Sequence, residues 1–208
     1  MMRKPSQPCV LAVLVSGNGS NLQAIINRIE AGELNARIAC VISNNPDAFA
    51  LTRAKTHYIP VIVHDNSSFK GRREYDAALV NILQENGVEL VVLAGYMRIL
   101  SDVMVNAFPN AIMNIHPALL PAFPGLHAQQ QALDYGVKFS GCTVHFVDSG
   151  TDTGPIILQA VVPVTQGDTE ETLSSRIQAE EHILFPEAVR LFVEGKISVE
   201  GRCVRIQV

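Results

Sequence analysis

Cysteine is scarce in this sequence, and its residues are widely spaced. They stand at Cys9, Cys40, Cys142 and Cys203, and no two of them form a Cys-x-x-Cys pair. A structural zinc site or a disulfide-stapled scaffold needs cysteines in closer patterns. The spacing therefore argues against both and predicts a protein of the reducing cytoplasm.

Long runs of positive charge and of apolar residues are also missing. No run of Lys and Arg exceeds two residues, and the formal net charge is -4, so the chain offers no electrostatic footprint for nucleic acid. The apolar run from Cys9 to Val15 is too short to cross a membrane, and Ser-Gly-Asn-Gly follows it where a signal peptide would have a cleavage site. We therefore expect a cytoplasmic protein that binds neither nucleic acid nor membrane.

The chain does have enough apolar sequence for one folded domain. Of its 208 residues, 48% are hydrophobic and 17% are charged, which is typical of a globular protein. Apolar runs alternate with amphipathic stretches, a pattern typical of βαβ units and a parallel sheet. The predicted strands cover 10–15, 37–43, 61–64, 90–94 and a fifth run that ends at Asn114. The predicted helices cover 22–29, 46–56 and 73–85.

The pattern changes after Pro117. Residues 117–125 are rich in proline, which predicts a loop, and a short helix is predicted at 129–133. The predicted strands 140–147 and 155–164 are joined by a turn too short for a parallel crossover, so we expect an antiparallel pair. Asp168, with Glu171 three residues on, predicts the N-cap of a long helix that reaches about Val193. Residues 203–208 are predicted to form a small edge strand. The fold class is therefore α/β: a single domain with a mostly parallel, twisted, Rossmann-like sheet flanked by helices.

Two polar side chains stand at the end of the fifth predicted strand. Asn114 and His116 lie two residues apart, so both side chains point to the same side, and Pro117 ends the ladder because it has no N–H. In open α/β sheets this end of a strand is where ligands bind. An amide can stabilise an oxyanion and a histidine can move a proton near neutral pH, which favours a catalytic pair. A strand-end Asn beside a core His is the alternative.

A glycine-rich loop, Ser-Gly-Asn-Gly-Ser-Asn at residues 16–21, joins the first strand to the first helix. Glycines let backbone N–H groups close on an anion, and a helix N-terminus favours negative charge. The third glycine of a dinucleotide fingerprint would fall at Leu22, and no Gly-Lys-Ser/Thr follows. A phosphate monoester therefore fits better than NAD or ATP, and a tight turn with a capping side chain is the alternative.

Two further segments are candidate binding loops. Residues 148–155 hold two acids and two glycines, and Asp152 there is a candidate to orient His116 and stabilise its imidazolium form. An ordinary turn is the alternative. A metal site could be imagined at His116, His145 and Asp152. No two of these residues have the close sequence spacing of metal-ligand pairs, so no metal is predicted. Residues 93–100 end another strand with accessible backbone that could hold a flat ring, unless they only pack in the core.

Together these pieces resemble the folate-dependent phosphoribosylglycinamide formyltransferases of purine synthesis. The resemblance runs from about Cys9 to Pro186 and rests on residues 16–22, 93–100, 114–121 and 144–147 leading into Asp152. The last two motifs occur across the wider superfamily that uses 10-formyltetrahydrofolate. The first motif, with Glu181-His182, points to the glycinamide ribonucleotide branch.

The resemblance implies roles for particular residues. The catalytic trio it implies is Asn114, His116 and Asp152. The substrate-binding residues it implies, for the phosphate, ribose and amine, are Gly19, Ser20, Asn21, Pro117, Gln178, Ala179, Glu180 and Glu181. The folate-binding residues it implies are Arg72, Met97, Arg98, Ile99, Leu100, Asn114, Asp148, Ser149, Gly150, Thr151 and Asp152. The N-terminal half would bind the ribonucleotide and the C-terminal half the folate.

The resemblance also implies the reaction. The amine of glycinamide ribonucleotide takes the formyl group of 10-formyltetrahydrofolate, and no metal takes part. Both substrates are small molecules, and the protein is expected to be a monomer or a homodimer. One rival is another formyl transferase or a formyl-folate hydrolase with the same trio, although we expect no room here for the extra domains that those enzymes carry. The other rival is a non-catalytic domain that binds a phosphate ligand, which leaves the trio unexplained.

Overall fold

Strands and helices alternate along the residues that the computed structural model describes, 7–207. The strands are β1 (Cys9–Val15), β2 (Ala36–Ser43), β3 (Val61–Val63), β4 (Leu90–Leu93), β5 (Ile112–His116), β6 (Phe139–Phe146), β7 (Ile156–Pro163), β8 (Ile197–Glu200) and β9 (Cys203–Ile206). The helices are α1 (Ser20–Glu30), α2 (Phe49–Thr56), α3 (Arg72–Glu85), α4 (Asp102–Ala107), α5 (Ala128–Tyr135) and α6 (Glu170–Val193).

All these strands belong to one sheet with the order β3-β2-β1-β4-β5-β6-β7-β9-β8. β1 to β5 pair in parallel, whereas β6 is antiparallel to both β5 and β7. The predicted α/β class, with a mostly parallel sheet and an antiparallel pair in the second half, is confirmed. Because the chain adds β2 and β3 on one side of β1 and β4 on the other, the strand order reverses beside β1. Such a switch point opens a crevice at the carboxyl ends of the strands.

The alternation of side chains along β1 explains why helices cover both faces of the sheet. Leu11, Val13 and Val15 belong to one core layer, beneath α1, α2 and α6. Ala12 and Leu14 belong to the other, beneath α3 and α4. A strand buried on both faces is a continuous apolar run, as seen here.

Two details of the predicted second half are wrong. The N-cap of α6 is Thr169, which forms a capping box with Thr172, while Asp168 lies one residue earlier and binds Arg176 at 2.9 Å. The predicted edge strand is β9, but β9 lies between β7 and β8, so β8 forms the edge; Val208, the last residue of that prediction, is outside the described residues. The first error is a choice between adjacent residues within one helix turn, whereas the second is a strand order that pairing across the sheet decides.

Two short elements, α4 and β8, have no counterpart in the prediction, because short segments carry too little periodic pattern to be distinguished from loops. In the described part of the chain, no helix combines the length and the apolar character that crossing a bilayer requires.

Candidate active site

The catalytic trio meets at the carboxyl end of β5. Asn114 and His116 project from β5, and Asp152 reaches them from the loop between β6 and β7. Asp152 Oδ2 lies 3.4 Å from His116 Nδ1, and Asp152 Oδ1 accepts a long hydrogen bond of 3.5 Å from Asn114 Nδ2. The structure therefore brings together the three side chains that the sequence motifs singled out.

Both ring nitrogens of His116 face acceptors of the protein. Its Nε2 donates to the backbone oxygen of Phe123 at 2.8 Å, and its Nδ1 faces Asp152. The N–H of Gly125 donates to Asp152 Oδ2 at 2.8 Å. The loop after Pro117 is thus bonded to two members of the trio. The Phe123 carbonyl and the Asp152 carboxylate can only accept hydrogen bonds. The imidazolium form of His116, with a hydrogen on each ring nitrogen, can donate to both of them.

His145 completes the cluster, although the sequence marks it only as part of the motif 144–147 and of the disfavoured set of metal ligands. Its Nδ1 lies 2.9 Å from the Phe146 carbonyl and must carry the hydrogen, so Nε2 of the neutral ring accepts from Asn114 Nδ2 at 3.2 Å. Burial lowers the pKa of His145, against smaller raising effects of the hydrogen bond to Phe146 and of the Asp152 charge. His145 therefore fixes which end of the Asn114 amide is the donor. His145 is the register partner of Asn114 on the antiparallel strand β6, so knowledge of that pairing is the signal that could have found it.

The glycine-rich loop packs tightly at the start of α1. Gly19 has φ 76°, and a Cβ placed on it would lie 2.5 Å from Ala50 Cβ of α2. Only glycine fits both constraints without strain. Since the first backbone N–H groups of a helix lack acceptors within the helix, they are free to bind an anion at this point.

The predicted ribonucleotide residues of α6 meet this loop. Ser20 Oγ accepts from Gln178 Nε2 at 3.0 Å, and Glu181 Oε2 accepts from Asn21 Nδ2 at 2.8 Å. Glu181 is buried, and burial raises its pKa above the ordinary value. Of the neighbouring predicted residues, Ala179 is exposed, and Glu180 and Pro117 are half-buried. The structure therefore joins two segments about 160 residues apart in sequence.

Arg53 of α2 is a further residue at this loop that the sequence argument missed. Its guanidinium donates to the backbone oxygen and to Oδ1 of Asn18, both at 2.9 Å. This bidentate contact holds the loop and leaves a cation beside it. No sequence motif marks Arg53, because it reaches the loop from another helix.

The segment 97–100 follows β4, the strand that pairs with β5. Met97 and Ile99 are exposed, whereas Leu100 is buried. The guanidinium of Arg98 lies over the ring of Tyr75 at 4.3 Å. The predicted folate segment thus presents its backbone and two apolar side chains, while the Arg98 side chain packs on α3.

The loop 148–152 is organised by its first residue. Asp148 Oδ1 accepts from Gly150 N at 3.0 Å and from Thr153 Oγ1 at 2.6 Å. Ser149, Gly150 and Thr151 are exposed. Arg72, the remaining predicted folate residue, is exposed at the first position of α3, one turn before Tyr75. Asp148 therefore shapes the loop that carries Asp152.

Thr143 and Gln159 anchor the start of the loop after Pro117, and neither was predicted. Thr143 Oγ1 donates to the Ala118 oxygen at 2.7 Å and accepts from Leu120 N at 3.0 Å. Gln159 Nε2 donates to the Leu120 oxygen at 3.0 Å.

Among residues 7–207, no group of three or more His, Cys, Asp or Glu side chains is arranged to hold a metal ion.

Comparison with known proteins identifies the class. Residues 10–189 match the family model described as formyl transferase, and the chain belongs to that family. It is similar to glycinamide ribonucleotide transformylase 1 from Symbiobacterium toebii, with 54% identity over 98% of this chain and 96% of that chain and a TM-score of 0.96. The phosphoribosylglycinamide formyltransferase of Escherichia coli K12 is 42% identical over 91% of this chain and 89% of its own. The family resemblance predicted from the motifs is therefore confirmed.

Some relatives are much longer. The trifunctional purine biosynthetic protein adenosine-3 of Drosophila melanogaster is 49% identical over 89% of this chain, which corresponds to 14% of that protein. This chain thus spans 14–19% of the length of the trifunctional relatives that it matches.

Proposed function

We propose that this protein transfers the formyl group of 10-formyltetrahydrofolate to the amine of glycinamide ribonucleotide, giving N-formylglycinamide ribonucleotide and tetrahydrofolate in purine biosynthesis. The observation that carries the proposal is the meeting of Asn114, His116 and Asp152 at the carboxyl end of β5. At the carboxyl ends of the strands the trio would stand between the anion-binding start of α1 and the exposed apolar segment 97–100, where the two ligands would meet.

The ribonucleotide half of the site would be built by α1 and α6. The backbone of Gly19, Ser20 and Asn21 would bind the phosphate, where the helix dipole favours negative charge. Gln178 to Glu181 would face the ribose and the amine. The support for this assignment is the direct bonding of Ser20 to Gln178 and of Asn21 to Glu181.

The folate half would be built by the segment 97–100 and the loop 148–152. Exposed Met97 and Ile99 offer apolar surface for a flat ring, and the backbone around Arg98 offers polar groups at its edge. Arg72 would face the acidic tail of the folate. Asp152 and Asn114 then stand between this half and the ribonucleotide half.

The chemistry follows from the trio. The neutral amine attacks the formyl carbon, a C–N bond forms, and the formyl oxygen becomes an oxyanion. Asn114 Nδ2–H and a ring N–H of His116 would donate to that oxygen while Asp152 balances the imidazolium charge. The bond from the carbon to N10 then breaks, and a proton passes from the attacking nitrogen to N10 through His116 or water.

For His116 to reach a substrate atom, one of its two protein acceptors must yield. Phe123 belongs to the loop after Pro117, so movement of that loop would free Nε2 without disturbing the Asp152 contact.

We propose the cytoplasm as the compartment of the reaction, because free thiols such as Cys40 and Cys142 are typical of reducing compartments.

The test is an assay with the purified protein. Both substrates are mixed, folate absorbance is followed, and the ribonucleotide is weighed by mass spectrometry. We expect a formylated ribonucleotide to form with both substrates present. Formate release that does not depend on the ribonucleotide would indicate a hydrolase, and no turnover with either substrate would leave only a binding domain.

A further inference from the structure

Ser16 connects three strand ends at the switch point of the sheet. Its hydroxyl donates to Asn44 Oδ1 at 2.6 Å, beyond the end of β2, and accepts from the Met97 N–H at 2.9 Å, beyond the end of β4. Its own N–H donates to the Gly95 oxygen at 3.1 Å, and its carbonyl accepts from Asn45 Nδ2 at 3.4 Å. Backbone and side chain of this one residue thus hold β1 to both neighbours.

We propose that Ser16 is a positioning residue that couples the ribonucleotide site to the folate site. This inference rests on the proposed function. Ser16 is the first residue of the glycine-rich loop, and Met97 is the first residue of the segment assigned to the folate. The bond between them is therefore a direct contact between the two binding segments.

The chemistry of the hydroxyl makes this contact sensitive to movement. A serine hydroxyl has one hydrogen, and here it is donated to Asn44, so Met97 is held by the oxygen lone pair. Donated and accepted bonds of one hydroxyl strengthen each other. A phosphate that draws in residues 17–21 therefore fixes Ser16, and with it the backbone of Met97. The second ligand then meets a segment that is already ordered.

Coupling of this kind is reciprocal, so it can be measured from either ligand. Glycinamide ribonucleotide and tetrahydrofolate form an unreactive pair, because neither carries the formyl group. Calorimetric titration gives the dissociation constant of tetrahydrofolate with and without saturating ribonucleotide. In the wild-type protein we expect the ribonucleotide to tighten tetrahydrofolate binding at least about fivefold. In Ser16→Ala we expect the ratio to fall below about twofold.

Two further variants make the test specific. Ser16→Thr keeps a hydroxyl and should restore the wild-type ratio of dissociation constants. Asn44→Ala removes the acceptor of the Ser16 hydroxyl and should lower that ratio, and it takes the place of Ser16→Ala in the test if that variant fails to fold. Ser198→Ala, on β8 at the far edge of the sheet, is the matched control and should keep the wild-type ratio. If the wild-type protein binds both ligands without coupling, or Ser16→Ala keeps the coupling, the inference is overturned while the proposed function stands. If the wild-type protein binds neither ligand, the proposed function itself fails.

Discussion

At the scale of single residues, Asp152 is the point where the candidate site converges. Its carboxylate accepts from Gly125 N at 2.8 Å and lies within 3.7 Å of His145 Nε2 as well as beside His116. Its backbone has φ 54°, in the left-handed region that few residues other than glycine, Asn and Asp adopt. The fold therefore accepts strain to aim this carboxylate at the histidines.

Asp152→Asn should lower kcat by roughly 10²–10⁴, the range of a positioned proton-transfer group. Asparagine tolerates the same backbone conformation, so the fold should survive while the charge beside His116 is lost. The measurement is steady-state kinetics with circular dichroism, and Asp134→Asn, exposed on α5, is the control. Unchanged kinetics in Asp152→Asn would show that the carboxylate does not act on His116.

His145 should be neutral at physiological pH and carry its hydrogen on Nδ1. Burial lowers its pKa below the ordinary 6.5, so it gains a proton only as the pH falls further. Since the folded state disfavours that proton, the His145 contribution to stability is complete above about pH 6.5 and is lost as the pH falls toward the lowered value. Protonation would also turn Nε2 into a donor and displace the Asn114 amide.

Imidazole ¹⁵N spectra across the pH range check this, with the His145 signals identified from their loss in His145→Phe. An Nε2–H tautomer at neutral pH, or a titration midpoint above that of free histidine, would contradict the assignment.

His145→Phe should itself lower kcat by about 10²–10³, the cost of one misplaced oxyanion donor.

At the scale of elements, the contact of α1 with α2 decides the shape of the glycine-rich loop. The Ala50 N–H donates to the Gly17 oxygen at 3.0 Å, and Gly19 touches Ala50 so closely that no side chain fits. Glycine at position 19 is therefore a requirement of packing, apart from the role in anion binding that we propose for it.

Gly19→Ala should destabilise the protein by about 2–4 kcal/mol, from left-handed strain plus overpacking. Gly32→Ala is the matched control, because Gly32 has φ 74° but nothing lies within 4 Å of its added Cβ. It should cost only about 1–2 kcal/mol. Urea unfolding measures both free energies. Equal losses in the two variants would mean that the Ala50 contact carries no penalty.

At the scale of the whole molecule, the β8–β9 hairpin is joined loosely to the sheet. β9 pairs with β7 at Ile156 and Cys203, and Arg202 donates to the Thr153 oxygen at 2.8 Å. The formyl transferase match ends at residue 189, before the hairpin. Thr153 directly follows Asp152, so the Arg202 contact reaches the loop of the candidate site, although the hairpin carries none of the predicted site residues.

A chain ending at Lys196 should keep kcat within about threefold of the full chain, which is less than 1 kcal/mol in activation free energy. Its stability should fall by about 2–4 kcal/mol, because Ile197, Val199 and Val204 pack against the core. Thermal unfolding and kinetics test both statements. A folded truncated chain that lost more than about tenfold in kcat would show that the hairpin supports the site, and Arg202→Ala in the full chain would show whether the Thr153 contact is responsible.

Much of the fold could be predicted because its determinants are local in the chain. Apolar runs alternating with amphipathic stretches, proline and glycine positions and short connections predicted β1 to β7, the parallel first half and the antiparallel β6–β7 pair. Two-residue spacing placed Asn114 beside His116. These features depend on backbone geometry within a few residues, so the sequence by itself determined them.

Only the tertiary structure decided which distant side chains meet. Asn21 binds Glu181, Ser16 binds Met97, and His145 orients Asn114 across paired strands. The order of β9 and β8 was settled in the same way. A hydrogen bond depends on distance and direction in space, and spacing along the chain does not encode either once the chain has crossed from one strand end to another.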